Sequence, residues 1–408
     1  MGAAKNMKNG NQINVVDGKY NCALGVITHV DHWLNQNGEP ICYEPYAREI
    51  RIWADLFSKV DVLAPRGEGA PRGALAAYEK ANISWIPVEY ANAVGWKYTL
   101  TRAYQLPRLT INIAKFILAH DFVQPRSPGH PAFVGNVIAR LFRKPSITKY
   151  AGYFGYFPGE RLTSISERVF LSMPTQTNRV LVYGKAKRKH FVSFIPALMS
   201  EAEINMAESI SQNKKWDTEK IHIVSVGRLS PYKDFDLAIN GLGELYRIRP
   251  DLSWDYTLVG GGELRKDLEE LCEKNKIRDR VTFTSALPFN QVQEIYANAH
   301  FVIMPGTREG WPKTIAEAWA HFCIPIVAAS LLSLDIINNS ENGFLFNPDP
   351  KSLAVLLANI LQRERDELKF VSQKAHNNVH ALSMERFRDR LTDIIEDLQK
   401  NMGYSIVV

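Results

Sequence analysis

Thr307-Arg308-Glu309-Gly310-Trp311-Pro312-Lys313-Thr314-Ile315-Ala316-Glu317 stands between two apolar runs, Phe301-Val302-Ile303-Met304 and Cys323-Ile324-Pro325-Ile326-Val327-Ala328. The runs have the length and branching of short buried strands, so the whole reads as a β-loop-α-β unit. Pro312 has the φ favoured at the first position of a helix, which predicts a helix from there, with Glu309 in the preceding loop and Glu317 inside the helix. The spare amides of such a first turn hold anions. At a rise of roughly 1.5 Å per residue, Glu317 falls about 7 to 8 Å deeper than Pro312. One ligand with hydroxyls on both sides of a diphosphate would meet both carboxylates and the helix end. Two solvated glutamates flanking an ordinary helix are the alternative, but the loop leaves the carboxyl end of a strand, the edge at which open α/β sheets bind ligands.

The same alternation surrounds this unit. From Ile221 onward, strands are predicted at 221–226, 256–259, 281–283 and 343–346, and helices at 236–249, 263–276, 291–297 and 352–363. This is the pattern of a parallel, doubly wound sheet. The first half repeats it less clearly: strands at 23–28, 60–63, 122–123 and 146–150, and helices at 47–57, 109–119 and 133–142. The polar segment 201–220 places the domain boundary. Expected are an α/β fold of two Rossmann-like doubly wound parallel-sheet domains facing a cleft, residues 1–205 on the acceptor side and 206–380 on the donor side. A helix within 381–408, Met384 to Leu398, is expected to pack back across the junction.

With 408 residues, 46% apolar and 11% aromatic, the chain has material for two cores. No apolar run approaches the roughly 20 residues of a membrane span, and the polar opening lacks a signal-peptide core. Cys22, Cys42, Cys272 and Cys323 form no close pair, which points to neither a zinc site nor a disulfide framework and fits a reducing cytoplasm. Residues 1–200 carry a balance of +12 and residues 201–408 one of −6. The clusters Arg140-Leu141-Phe142-Arg143-Lys144 and Lys185-Ala186-Lys187-Arg188-Lys189 suit peripheral contact with an anionic membrane or an acidic glycan, or are solvated charge. Nucleic acid is not expected, since no motif for it is present.

Two further loops carry chemistry. In Val224-Ser225-Val226-Gly227-Arg228-Leu229-Ser230-Pro231-Tyr232-Lys233 a strand ends in glycine and delivers two cations five residues apart, suited to a diphosphate whose charge grows as a sugar bond breaks. Leu258-Val259-Gly260-Gly261-Gly262-Glu263 is a glycine turn that does not match the dinucleotide fingerprint. Phe283 to Pro288, with Leu287, offers main-chain groups to the edge of a base.

Together these residues resemble, over 221–365, the donor domain of retaining glycosyltransferases with the GT-B fold, family 4 in particular. The resemblance rests on Gly227-Arg228 with Lys233, the Gly260 to Gly262 turn, and Glu309 and Glu317 enclosing seven residues. It implies that Arg228 and Lys233 hold the donor diphosphate, that Glu309 contacts the donor sugar and that Glu317 contacts the ribose. Gly310, Trp311, Lys313 and Thr314 would line the same donor site. It further implies a UDP- or GDP-linked nucleotide sugar, a glycan or lipid-linked acceptor, a hexose or deoxyhexose moved with retention, and no bound metal or other cofactor. A sugar phosphorylase or synthase, and a noncatalytic carbohydrate-binding protein, share the fold and stay open.

The amino-terminal half departs from that pattern. Where many relatives have a glycine pair, this chain has Thr28-His29-Val30-Asp31-His32-Trp33, and Thr148 to Tyr153 lacks a histidine common at that place. Gln124 to His130 resembles a loop in relatives that also lack it. His29, Asp31, Arg126, His130, Tyr150 and Tyr153 are the acceptor-side candidates. Three ligands within His29 to His32 cannot readily converge on one ion, so no metal is expected there. The aromatic group Tyr150, Tyr153, Phe154, Tyr156, Phe157 reads equally as a sugar-stacking surface or as packing.

Overall fold

The computed structural model describes residues 12–69, 74–89, 96–152, 154–156, 160–184, 186–194, 199–307, 313–330, 333–403 and 405–407. The chain divides into two compact units, residues 1–195 with 387–408, and residues 196–386.

The second unit holds six parallel strands in the order Val281–Phe283, Trp254–Val259, Ile221–Val226, Phe301–Met304, Ile324–Ala328, Phe344–Phe346. Numbered along the chain this is 3-2-1-4-5-6, the doubly wound order that reverses between the first and fourth strands. Phe301–Met304 and Ile324–Ala328 are buried at every position. Parallel strands covered on both faces must be, which is why they appear in the sequence as unbroken apolar runs. The helix Phe235–Ile248 buries Phe235, Ala238, Ile239, Leu242 and Leu245, the three-and-four spacing of a single helical stripe. Gly241 on that helix admits the helix Pro350–Ile360, because a Cβ there would stand 2.7 Å from Leu353. Leu242 is wholly buried, and its transfer from water alone contributes about 2 kcal/mol.

The first unit repeats the winding with one strand more. Its parallel strands run Ile83–Val88, Phe57–Pro65, Lys19–Ile27, Phe122–Ser127, Ser146–Tyr150, Asn178–Val182, Phe191–Ser193. Gln12–Val16 pairs antiparallel with the start of Lys19–Ile27, and Ser405–Val407 pairs with Gln12–Val16. A separate antiparallel sheet joins His32–Leu34, Pro40–Tyr43 and Leu75–Ala77. Apart from Gln12–Val16, the main sheet of each unit is thus parallel and doubly wound, as expected.

The sequence predicts a loop from Gln124, whereas the strand continues to Ser127, with Pro125 in register beside Ile27. Proline donates no ladder hydrogen bond and is therefore read as a strand end; here it sits near the end of the ladder, where the loss is tolerated. Residues 201–220, polar enough to suggest a boundary, contain the helix Glu201–Ser211, opened by a reciprocal Ser200–Glu203 capping box. The helix Met384–Asn401 begins in the second unit and from Phe387 belongs to the first. There Arg179 reaches Asp397 at 2.7 Å and Phe387 stands edge-on to Phe194 at 4.9 Å.

Candidate functional site

In the second unit, the ladder between the first and fourth strands pairs only Ile223 with Phe301 and Val224 with Val302. One residue further, the Ser225 hydroxyl donates to the Ile303 carbonyl at 2.6 Å. The strands then run into separate loops at the point where strand order reverses, which is where a doubly wound sheet opens its crevice. A hydrogen bond ties these loops together: the Thr307 amide donates to the Asp234 carboxylate at 3.2 Å. Asp234 holds a left-handed backbone, φ 51°, at the head of the helix Phe235–Ile248, and its side chain does not cap that helix. It reaches across to the other loop instead, so the cap residue does not satisfy the helix's leading amides.

Glycines set the shape of the Gly227 loop. A Cβ on Gly227 would meet Phe235 Cζ at 3.3 Å and Lys233 Cε at 3.4 Å, so the absent side chain gives the Lys233 stem its path back over the loop. Gly260 has φ +148°, and a Cβ there would lie 1.9 Å from the Gly227 carbonyl oxygen. A Cβ on Gly262 would lie 2.2 Å from the Leu229 carbonyl oxygen. The Gly260 to Gly262 turn thus packs backbone against backbone behind the cationic loop, locked by Gly227 N donating to Val259 O and Leu229 N to Gly261 O, both at 3.0 Å. Arg228 stands outward, 60% exposed, with its guanidinium 3.5 Å from Glu263.

The other arm is the helix Lys313–Ala320, whose first turn carries the buried Thr314. Glu317, half-buried, accepts a hydrogen bond from the Tyr296 phenol at 3.0 Å. Burial first, and then the neighbouring Glu317 charge, push the Tyr296 phenol well above its ordinary range, so it stays a donor and fixes one carboxylate oxygen. Beneath it His321 stacks on Tyr296 at 5.3 Å and is held neutral, its pKa lowered by burial to about 4. The Lys214 ammonium donates to the carbonyls of Tyr296 at 3.1 Å, His321 at 2.6 Å and Ala299, joining the ends of two helices under the site. Leu287 lies half-buried in the loop before the helix Phe289–Asn298, and Arg265 steadies that loop by donating to Thr284 O at 2.8 Å. Glu309, Gly310, Trp311 and the expected helix start at Pro312 lie outside the described residues.

Gly227, Arg228, Lys233, Thr314 and Glu317 therefore occupy loops and a helix at one edge of one sheet. The sequence reading missed Asp234 and Tyr296, the two residues that hold this arrangement. Asp234 directly follows the expected cation, and Tyr296 reads as an ordinary position of an amphipathic helix.

In the first unit, His29, Arg126, His130 and Tyr150 all fall at the carboxyl edge of the sheet, around its own reversal between Lys19–Ile27 and Phe122–Ser127. The His29 ring lies against Gly129, where a Cβ would be 2.9 Å from Nδ1; burial, aided by the Arg126 charge, lowers its pKa to about 4. Arg126 pairs with Glu49 at 3.3 Å and lies over the Tyr46 ring at 5.1 Å, while Lys149 shares the same carboxylate at 2.5 Å. Asp31 is half-exposed, and Tyr153 lies outside the described residues. Tyr150 is a packing residue: it is 2% exposed, meets Phe154 edge-on at 4.8 Å and accepts from Arg168 at 3.4 Å. His32 is likewise inside, between the Val30 carbonyl at 2.8 Å and the Tyr78 hydroxyl at 2.5 Å, stacked on Trp85. Among the described residues no three His, Cys, Asp or Glu side chains are grouped to hold a metal ion.

The family described as glycosyl transferases group 1 matches residues 206–377, the part of the chain that contains the tied loops. An uncharacterized glycosyltransferase of Haemophilus influenzae is 33% identical over 173 residues, 42% of this chain and 45% of that protein. A phosphatidylinositol N-acetylglucosaminyltransferase subunit from Arabidopsis thaliana is 24% identical over 56% of this chain and 46% of its own length. The chain thus spans less than half the length of these curated relatives. Among solved structures, Anabaena HepE in complex with UDP and glucose superposes with a TM-score of 0.66 at 13% identity, over 92% of this chain and 99% of that one. At that identity the likeness establishes the fold, which is GT-B.

Proposed function

We propose, from the match of residues 206–377 to glycosyl transferases group 1, that this protein is a retaining, metal-independent glycosyltransferase of family 4. It moves a hexose or deoxyhexose from a UDP- or GDP-linked sugar onto a glycan or lipid-linked acceptor. The observation that carries the reading is the Asp234–Thr307 bond, which brings the cationic Gly227 loop and the loop leading to Glu317 together at the reversal of strand order. HepE, of the same fold, was solved with UDP and glucose, which supports a nucleotide sugar as donor. The relatives' names support transfer onto another molecule over the phosphorylase alternative.

In this reading Arg228 and Lys233 bind the donor diphosphate and stabilise the charge that grows on it as the bond to the sugar's anomeric carbon breaks. Lys313 and Thr314 amides, with Gly310 and Trp311, complete the cradle. Glu317, fixed by Tyr296, receives the ribose hydroxyls, Glu309 holds the sugar, and the backbone at Leu287 meets the base. The acceptor hydroxyl bonds to the anomeric carbon on the face the diphosphate leaves, and its proton passes to the departing phosphate oxygen. His29 stays neutral and, with Asp31, Arg126 and His130, serves the acceptor side. The work is done in a reducing cytoplasm, in keeping with four free, buried cysteines.

A thermal-shift panel of UDP, GDP, ADP and dTDP sugars tests the reading, since a ligand of the native state raises its apparent stability. One nucleotide family should raise the melting temperature and the matching donor should be slowly hydrolysed. A panel without effect, or phosphate-dependent turnover of a free sugar without nucleotide, defeats it.

A further inference from the structure

Residues 140–189 contain eleven Lys and Arg but two Asp and Glu. Both acids are inside: Glu160, its side chain 2% exposed, pairs with Arg168, and Glu167 accepts from the Gly129 amide at 3.1 Å. The charge this region shows to solvent is therefore positive, carried by Arg143, Arg161 and the run Lys187-Arg188-Lys189.

Apolar side chains stand among these cations. The helix Leu162–Ser172 buries Leu171 on one side and turns Leu162, Val169 and, just past its end, Met173 outward, 79%, 55% and 46% exposed. Spacings of seven and four put them on one stripe. Arg140 donates to the carbonyls of Met173 and Pro174 at 3.3 and 2.8 Å, which places the exposed pair Leu141 and Phe142 beside the end of that stripe. A groove of about 580 Å³ runs along it between Tyr156, Val169, Met173 and Arg188.

We propose that this face docks on a bilayer bearing anionic phospholipid. The aliphatic stripe enters the boundary between headgroups and acyl chains, and the basic residues lie at the level of the phosphates. Charge complementarity alone would also suit nucleic acid or an acidic glycan. Neither of those rewards exposed leucine, valine and methionine, whereas an apolar stripe within a basic rim gains from a lipid interface on both counts. The inference goes beyond sugar transfer and uses none of the donor-loop residues, so its test reads binding and not turnover.

The full chain is sedimented with vesicles of phosphatidylcholine alone and with vesicles containing phosphatidylglycerol. Binding is expected to the second and not to the first. Combining Arg143→Gln, Lys187→Gln and Lys189→Gln should lower the partition coefficient roughly a hundredfold, at about fivefold per charge. Leu162→Ser with Val169→Ser keeps every charge and should lower it about tenfold or more, since two buried aliphatic side chains are lost from the interface. All five residues are exposed, so unchanged thermal melts should accompany both variants. Equal binding to both vesicle types, or to neither, overturns the proposal. So does indifference to the Leu162 and Val169 replacements with retained charge dependence, the result expected of a site for soluble polyanions.

Discussion

Gly260→Ala probes the backbone contact that supports the cationic loop. The new Cβ would lie 1.9 Å from the Gly227 carbonyl oxygen, so the two loops must part by more than an ångström. Two bonds span that contact, Gly227 N to Val259 O and Leu229 N to Gly261 O, each 3.0 Å long, and each contributes about 1 kcal/mol. An L-residue at φ +148° adds about 1 to 3 kcal/mol of strain. The sum is about 4 kcal/mol, and for a unit of this size the melting transition should fall by roughly 8 to 16 °C. Arg228, next to the displaced carbonyl, moves with the loop, so affinity for the nucleotide should drop as well. Calorimetry of the full chain and titration with nucleoside diphosphates read the two effects. The control is one residue away: a Cβ on Gly261 meets nothing nearer than Ala286 N at 3.9 Å, so Gly261→Ala should stay within about 0.5 kcal/mol of wild type. If Gly260→Ala melts with wild type, or Gly261→Ala is as damaging, the backbone packing described here does not support the loop.

Three further outcomes follow from the same geometry. Lys233→Ala should lower turnover by ~10²-fold or more if it removes a charge-stabilising donor, and near-normal turnover would defeat its assignment. Tyr296→Phe takes away the 3.0 Å hydrogen bond to Glu317; a loss of about 1 to 3 kcal/mol and a raised KM for the donor are expected, and an unchanged KM would separate Glu317 from donor binding. Burial lifts the Glu167 carboxyl from its usual 4.5 to about 7. The native state therefore keeps a proton that the unfolded chain releases near pH 4.5, and about 3 kcal/mol of stability, full below that pH, is lost as pH rises to 7. Glu167→Gln should flatten that decline and melt above wild type at pH 8; a parallel pH profile would rule Glu167 out as its source.

The second unit was legible because its strands are covered on both faces. Phe301–Met304 and Ile324–Ala328 had to be continuous apolar runs, and such runs flanked by glycine and proline have few other readings. The first unit was less so, for local reasons. Pro125 and Pro128 mask the last residues of a central strand, and Asn178–Val182, buried throughout, begins with the polar pair Asn178-Arg179. The charge of Arg179 is met by Asp397, 218 residues along the chain, and no local pattern announces such a partner. At the site, the residues that face a ligand follow recognisable spacing, while those that hold them do not. Asp234 acts through a left-handed turn and Tyr296 through a contact 21 residues distant, both products of tertiary packing. Tyr150 shows the converse: its place at the sheet edge was readable, but its burial depended on Phe154 and Arg168.

The chain leaves its first unit at residue 195 and returns to it at 387, so the two units differ in what truncation does to them. Residues 196–386 form one contiguous block that can fold as a unit without residues 387–408. The first unit, cut short of them, has Arg179 without Asp397 and Phe194 without Phe387. A chain truncated after residue 386 should therefore present a protease-resistant later half beside a digestible earlier one.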